Sequence, residues 1–119
     1  MPRSIYRACL GEIVGTFPRV LFGTGAVASA VLTGALAGLW QVAVVWGFGV
    51  TLAIYATAAA SGAHLNPAVT LSMAIFRADA FPVRRVLPYW GAQLLGAVLA
   101  GACSLTTTTS AGCVSSCAT

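Results

Sequence analysis

One stretch of this chain constrains its fold more than any other: no Asp, Glu, Lys or Arg occurs from Val20 to Phe76. About 20 apolar residues cross the hydrocarbon core of a bilayer, so this run is too long for one crossing and has to turn back inside the membrane. Hydrophobic residues make up 59% of the sequence and charged residues 7%, which leaves too little polar surface for a soluble domain. The sequence therefore predicts an all-α membrane protein with several membrane segments.

The charge pattern and the polar residues exclude several function classes. The net charge of +4 does not indicate nucleic-acid binding, because the six basic residues are arginines scattered around apolar segments rather than gathered on one face. The four cysteines show neither zinc-site spacing nor a disulfide framework. No phosphate-binding loop or catalytic triad is present, and the two acids, Glu12 and Asp79, fall on different predicted sides of the membrane region. We expect no enzyme, no metal site and no cofactor.

Breaks in the apolar pattern divide the chain into membrane segments. Gly34 and Gly38 mark a short turn, and Ser61-Gly62 interrupts the pattern again. The predicted ranges are about 8–32 for the first helix, 40–60 for the second, 61–76 for a re-entrant loop with a half-helix, and 86–105 for the third helix. Residues 1–105 form one predicted unit, and 106–119 form a tail rich in Ser, Thr and Cys.

The half-helix is predicted from Asn66-Pro67, which offers an N-cap residue followed by proline at the first helical position. Arg77, Asp79 and Pro82 limit it to about ten residues, and at 1.5 Å per residue it reaches about halfway across a bilayer. The chain therefore enters the membrane at this point and returns to the same side.

Arginine placement predicts the orientation of these segments. Five arginines flank one side, at positions 3, 7, 77, 84 and 85, while the turn between the first two helices has none. Positively charged residues concentrate in cytoplasmic segments. We therefore expect a multi-pass protein of the cell membrane, plasma or inner, with a cytoplasmic N-terminus.

The re-entrant loop carries the chemistry. Its bare backbone groups cannot face lipid, so the loop has to line water or be buried in protein. Asn66 offers side-chain amide hydrogens at the positive end of the half-helix, which favours water or hydroxyl oxygens and repels cations. The predicted acceptors are the backbone carbonyls of Gly62, Ala63, His64 and Leu65.

The segment Ser-Gly-Ala-His-Leu-Asn-Pro-Ala-Val-Thr at 61–70 resembles the first Asn-Pro-Ala box, here Asn66, Pro67 and Ala68, of the aquaporin or major intrinsic protein family. Glu12 with Gly15-Thr16-Phe17 resembles the start of the family's first helix, and Tyr89, Ala92-Gln93 and Gly96-Ala97 resemble its third. The resemblance covers roughly residues 8–102.

Within that family, Trp46-Gly47 and Ala53-Ile54-Tyr55 are similar to the glycerol-facilitator branch, in which a tryptophan here helps to form the selectivity constriction. The resemblance implies passive passage of glycerol and water, six helices with two Asn-Pro-Ala boxes, and a homotetramer with one pore per subunit. From the residues themselves, we expect Glu12, an acid in an apolar helix, to bond the backbone of the re-entrant loop rather than to contact a solute, and Gln93 to give structural support in a helix packed among others. For His64, a role in lending its carbonyl and orienting the loop is favoured over a role as a ligand or pH sensor.

The sequence departs from the family in three places. The second inverted repeat is absent from these residues, Pro18-Arg19 stands where the family has apolar residues, and the tail is unlike the family's next loop. We expect a half-pore module that a second half completes; the alternative is a truncated fragment without transport activity that associates with intact family subunits. For Arg19, a position facing the channel and a snorkelling side chain remain equally open.

Overall fold

The computed structural model describes residues 4–36 and 38–116, and within these ranges the regular structure is entirely helical. The helices are α1 (Ile5–Thr33), α2 (Leu39–Thr57), α3 (Pro67–Phe76) and α4 (Val86–Ser116), and a single 3₁₀ turn, Val83–Arg85, leads into α4. Helices α1, α2 and α4 are long and apolar enough to cross a membrane, whereas α3 is not long enough. This architecture confirms the predicted fold of three membrane-spanning helices and one half-helix.

The observed bounds of α1, α2 and α3 lie within a few residues of the predicted segments, but α4 does not end at residue 105. It continues through Thr106–Ser110 to Ser116. Each hydroxyl from Thr106 to Ser110 donates to a carbonyl three or four residues earlier in α4. Because these hydroxyls find their acceptors within the helix, the polar run does not stop it. Residues 117–119 of the predicted tail, like Arg3, lie outside the described residues.

Close contacts between α1 and α2 depend on two glycines that face aromatic residues. A Cβ on Gly23 of α1 would collide with the Trp46 ring, and a Cβ on Gly49 of α2 would lie 2.7 Å from Phe22 Cβ. Small residues at such crossings let helix backbones approach in a membrane. α1 remains one helix across this contact, with Pro18 inside it.

α1 also packs along α4, and Gly96 marks the closest approach of these two helices. A Cβ on Gly96 would lie 2.7 Å from the carbonyl oxygen of Ile13 and 3.2 Å from Thr16 Cβ. Ala92 and Ala100, one turn away on either side of Gly96, are also buried. The small-residue face of α4 is therefore the face that meets α1.

A small apolar core fixes where α3 ends. Ala8 near the start of α1, Ala74 of α3, and Phe81, Val86 and Tyr89 around the start of α4 form one buried cluster. The C-terminal end of α3 therefore lies beside the N-terminal end of α1. The carbonyl of Leu65, two residues before α3 begins, accepts from Arg19, which is the central residue of α1. α3 thus runs from the middle of the bundle to one end of it.

Candidate functional site

The polypeptide turns at Asn66, where the loop becomes α3. Asn66 has an extended backbone, its Oδ1 accepts the Ala68 N–H at 2.8 Å, and Pro67 occupies the first helical position. Its carbonyl oxygen accepts the Thr70 N–H at 3.0 Å and the Thr70 hydroxyl at 3.1 Å. The predicted N-cap is therefore present. Because the cap uses Oδ1, the two amide hydrogens on Nδ2 remain as donors for another acceptor.

The loop before Asn66 contains residues in the left-handed backbone region. Gly62 has a φ of 94°, and both Ala63 and Leu65 have a φ of 53°. Left-handed conformations cost residues with a Cβ on the order of 1 kcal/mol or more, and they persist when surrounding contacts enforce them. Side chains from α1 and α4 provide those contacts.

Glu12 of α1 holds the loop from one side. Its carboxylate accepts the backbone N–H of His64 at 3.0 Å and of Leu65 at 2.7 Å. Gln93 Nε2 donates to the same carboxylate at 2.7 Å and to the Thr70 hydroxyl at 2.9 Å. Glu12 is fully buried, so three N–H donors rather than water satisfy its carboxylate oxygens. The carboxylate ties the loop, α1, α3 and α4 together.

Two aromatic side chains of α4 anchor the ends of the loop. The Tyr89 hydroxyl donates to the Ser61 carbonyl at 2.8 Å, and Trp90 Nε1 donates to the Pro67 carbonyl at 3.1 Å. The sequence indicated Tyr89 and Thr70 only through a family resemblance, and it gave no indication of Trp90. The available signal was weak, because an aromatic residue with a polar end in a membrane helix is equally typical of the bilayer interface.

The imidazole of His64 packs inside the protein. Its ring centroid lies 4.7 Å from that of Phe81 and 5.1 Å from that of Tyr89, and Nδ1 has no hydrogen-bond partner. The residue is 8% exposed. The side chain therefore fills space behind the loop. Among the described residues, no group of three or more His, Cys, Asp or Glu side chains could hold a metal ion.

On its other side the loop borders a groove of about 370 Å³, which we call the loop groove. It brings together four predicted site residues, Ala63, His64, Leu65 and Asn66, with residues from α1, α2 and α3. Those further lining residues are Arg19, Val50, Ile54 and Val69. The remaining predicted loop residues, Gly62, Pro67 and Ala68, are exposed but do not line the groove.

Arg19 lies in the loop groove, where its side chain reaches the loop. Its Nη1 donates to the Leu65 carbonyl at 3.0 Å, and its Cζ lies 5.9 Å from the centroid of the Trp46 ring. Trp46 does not line the groove itself but stands beside it, against Gly23. Arg19 therefore connects the predicted tryptophan wall to the loop.

Known proteins resemble this chain over most of its length. The sequence model of the major intrinsic protein family matches residues 2–118. The chain is 47% identical over 102 residues to the glycerol uptake facilitator protein of Haemophilus influenzae, an alignment covering 86% of this chain and 38% of the relative. It is 44% identical over 97 residues to the propanediol uptake facilitator PduF of Citrobacter freundii, covering 82% of this chain and 35% of the relative.

A solved structure shows the same fold. The aquaglyceroporin from Plasmodium falciparum superimposes with a TM-score of 0.80 at 33% identity, over 90% of this chain and 43% of that one. The chain thus spans less than half the length of each of these three proteins.

Proposed function

This chain belongs to the major intrinsic protein family, and we propose that it forms one half of a passive membrane channel for glycerol and water. Relatives named as glycerol and propanediol uptake facilitators support the class of solute. The observation that carries the proposal is the loop itself: a non-helical segment at the level of Arg19, held from behind by Glu12, with a groove on its other side.

The loop groove suits a water-filled path. Backbone groups in lipid cost several kcal/mol each when they lack a partner. No backbone N–H of the described residues donates to the carbonyls of Gly62, Ala63 or His64 outside regular helical bonding. These carbonyls are therefore available as hydrogen-bond acceptors for a solute. A pore requires such free acceptors, whereas a lipid-facing surface would leave them without a partner.

Asn66 supplies the complementary donors. Its Nδ2 stands at the first turn of α3, where the helix dipole contributes a partial positive charge. A glycerol hydroxyl or a water molecule accepts from Asn66 and donates to the loop carbonyls, and it can exchange these bonds as it moves. A cation meets the positive end of α3 and is repelled. No step consumes an energy source, so passage follows the concentration gradient.

Trp46 contributes an apolar wall in this proposal. Its indole ring is half-buried and is fixed between Gly23 and the Arg19 guanidinium. An aromatic surface accommodates the carbon backbone of a polyol, while polar groups opposite satisfy its hydroxyls. This arrangement supports glycerol as a solute in addition to water.

We propose that a second unit completes the pore, either another copy of this chain in a homo-oligomer or a second half that carries its own Asn-Pro-Ala box. Large apolar side chains on the outer side of α2 are exposed, among them Phe48 at 68% and Tyr55 at 84%, which leaves surface for a neighbour as well as for lipid. Arg7, Arg77, Arg84 and Arg85 share the end of the bundle where the small core lies. That end is cytoplasmic in our proposal, in the cell membrane.

Stopped-flow light scattering on liposomes containing the chain tests this function. We expect water and glycerol permeability above that of empty liposomes, and a loss of most of it in Asn66→Asp. Aspartate caps a helix as well as asparagine does, so the substitution removes the donors and adds a negative charge while keeping α3. Arg84→Leu is the control. Permeability equal to that of empty liposomes, with insertion verified, would mean that the chain does not conduct without another half or acts as an inert fragment.

A further inference from the structure

Arg19 gives the loop groove a specificity that the glycerol proposal does not account for. We propose that the guanidinium of Arg19 makes this groove a binding site for small carboxylates, with Arg19 as the residue that selects them over neutral molecules of the same shape. The inference rests on the proposed function in one respect, namely that the loop groove is open to solute.

Arg19 is positioned so that its charge meets no carboxylate of the described residues. It is the central residue of α1, and its side chain reaches the loop at the level where α3 begins. No ion pair between Arg19 and a carboxylate occurs among the described residues. Glu12 is bound to three N–H donors and is fully buried, whereas Asp79 is exposed beyond the end of α3. An arginine keeps its positive charge in proteins, so this charge lacks a protein counter-ion in the groove.

The guanidinium of Arg19 also has more hydrogen-bond donors than the described residues have acceptors for. A guanidinium has five N–H groups, and the structure gives Arg19 one acceptor among the described residues, the Leu65 carbonyl. The Trp46 ring stands near the guanidinium at 5.9 Å and accepts no conventional hydrogen bond. Several donors therefore remain for a molecule in the groove.

The rest of the lining determines which molecule fits. Asn66 adds two more donors through Nδ2, while Val50, Ile54 and Val69 are apolar. Arg19 already donates to the Leu65 carbonyl, so one fewer backbone carbonyl of the loop is free to accept from the hydroxyls of a polyol. A carboxylate needs donors alone and pairs with arginine through two parallel bonds. A short acid with a small apolar or hydroxylated body therefore satisfies this lining better than a polyol does.

Competition between two probes of one shape tests the proposal. Glycolate and glycolamide differ in charge at a single group, and saturation-transfer difference NMR on nanodiscs containing the chain measures both in one sample after subtraction of empty nanodiscs. We expect a signal ratio of about fivefold or more in favour of glycolate, since charge-assisted bonds are roughly twice as strong as neutral ones. The ratio should fall to about one in Arg19→Leu and in Arg19→Gln.

Arg84→Leu provides the matched control, because Arg84 is an exposed arginine in the turn before α4, outside the groove. It removes the same charge from the chain and should keep the wild-type ratio. A ratio near one in the wild-type chain overturns the proposal whether or not the Arg19 variants fold. An unchanged ratio in Arg19→Leu, or a ratio lost equally in Arg84→Leu, overturns it as well.

This experiment is separable from the test of channel function. Preference for glycolate without glycerol permeability would leave the binding site standing and remove the proposed transport. Glycerol permeability without a preference for glycolate would support the proposed transport and rule out the carboxylate site.

Discussion

The carboxylate of Glu12 accepts the backbone N–H of Leu65 at 2.7 Å, joining two residues that are 53 positions apart in the sequence. Leu65 is in the left-handed backbone region, and the next residue begins the cap of α3. This bond therefore determines where the half-helix starts relative to α1. It also explains why a fully buried acid is stable here, since each carboxylate oxygen has at least one N–H donor.

Removing that acceptor should destabilise the fold. In Glu12→Gln an NH₂ group replaces one carboxylate oxygen. The remaining oxygen cannot accept from both backbone N–H groups and from Gln93 as well. Each buried donor left unpaired costs about 1–3 kcal/mol, so we expect the free energy of unfolding to fall by roughly 2–4 kcal/mol. Circular dichroism during SDS titration in mixed micelles measures it. Asp79→Asn, which changes the other acid at an exposed position, should have almost no effect.

The hydroxyl of Tyr89 should contribute less than the carboxylate does. Tyr89→Phe removes the hydrogen bond to the Ser61 carbonyl but keeps the ring against His64 and Phe81. We expect a loss of about 1 kcal/mol, the usual value for one neutral hydrogen bond. The same titration measures it, with Tyr55→Phe as the control because Tyr55 is 84% exposed. Equal effects of the two substitutions would contradict the anchoring role of Tyr89.

Two glycines on α4 give a matched test of the α1–α4 contact. Gly96→Ala places a methyl group against the Ile13 carbonyl at 2.7 Å, and we expect a loss of about 1–3 kcal/mol from overpacking. Gly91→Ala meets nothing within 4 Å and replaces a poor helix former, so it should stabilise by up to about 1 kcal/mol. Thermal melts in detergent should move in opposite directions for the two variants. Shifts of the same sign would show that the helices do not cross at Gly96.

The sequence predicts those parts of the fold that local chemistry determines. The half-helix follows from Asn66-Pro67 at one end and charged residues at the other, and the structure begins α3 at Pro67 and ends it at Phe76. The three long helices follow from apolar length. The end of α4 does not, because the hydroxyls of Thr106 to Ser110 bond to their own helix, and composition alone does not distinguish that run from a loop.

Contacts between distant segments are less accessible to sequence reasoning. The position of Arg19 depends on how α1 is rotated against α2 and how far the loop reaches, and neither is encoded near Arg19 itself. The same holds for Trp90, whose partner is the Pro67 carbonyl. Both residues become interpretable only when the bundle places them beside the loop.

Cysteine accessibility in liposomes measures whether the face of the loop bearing Asn66 borders water. Val69→Cys lies in the loop groove and Leu94→Cys on the exposed outer side of α4, each in a chain whose four native cysteines are replaced by serine. We predict rapid reaction of Val69→Cys with a membrane-impermeant methanethiosulfonate, slowed by glycerol, and almost no reaction of Leu94→Cys. Equal, slow reaction at both positions would show that the groove faces lipid and is not a path for solutes.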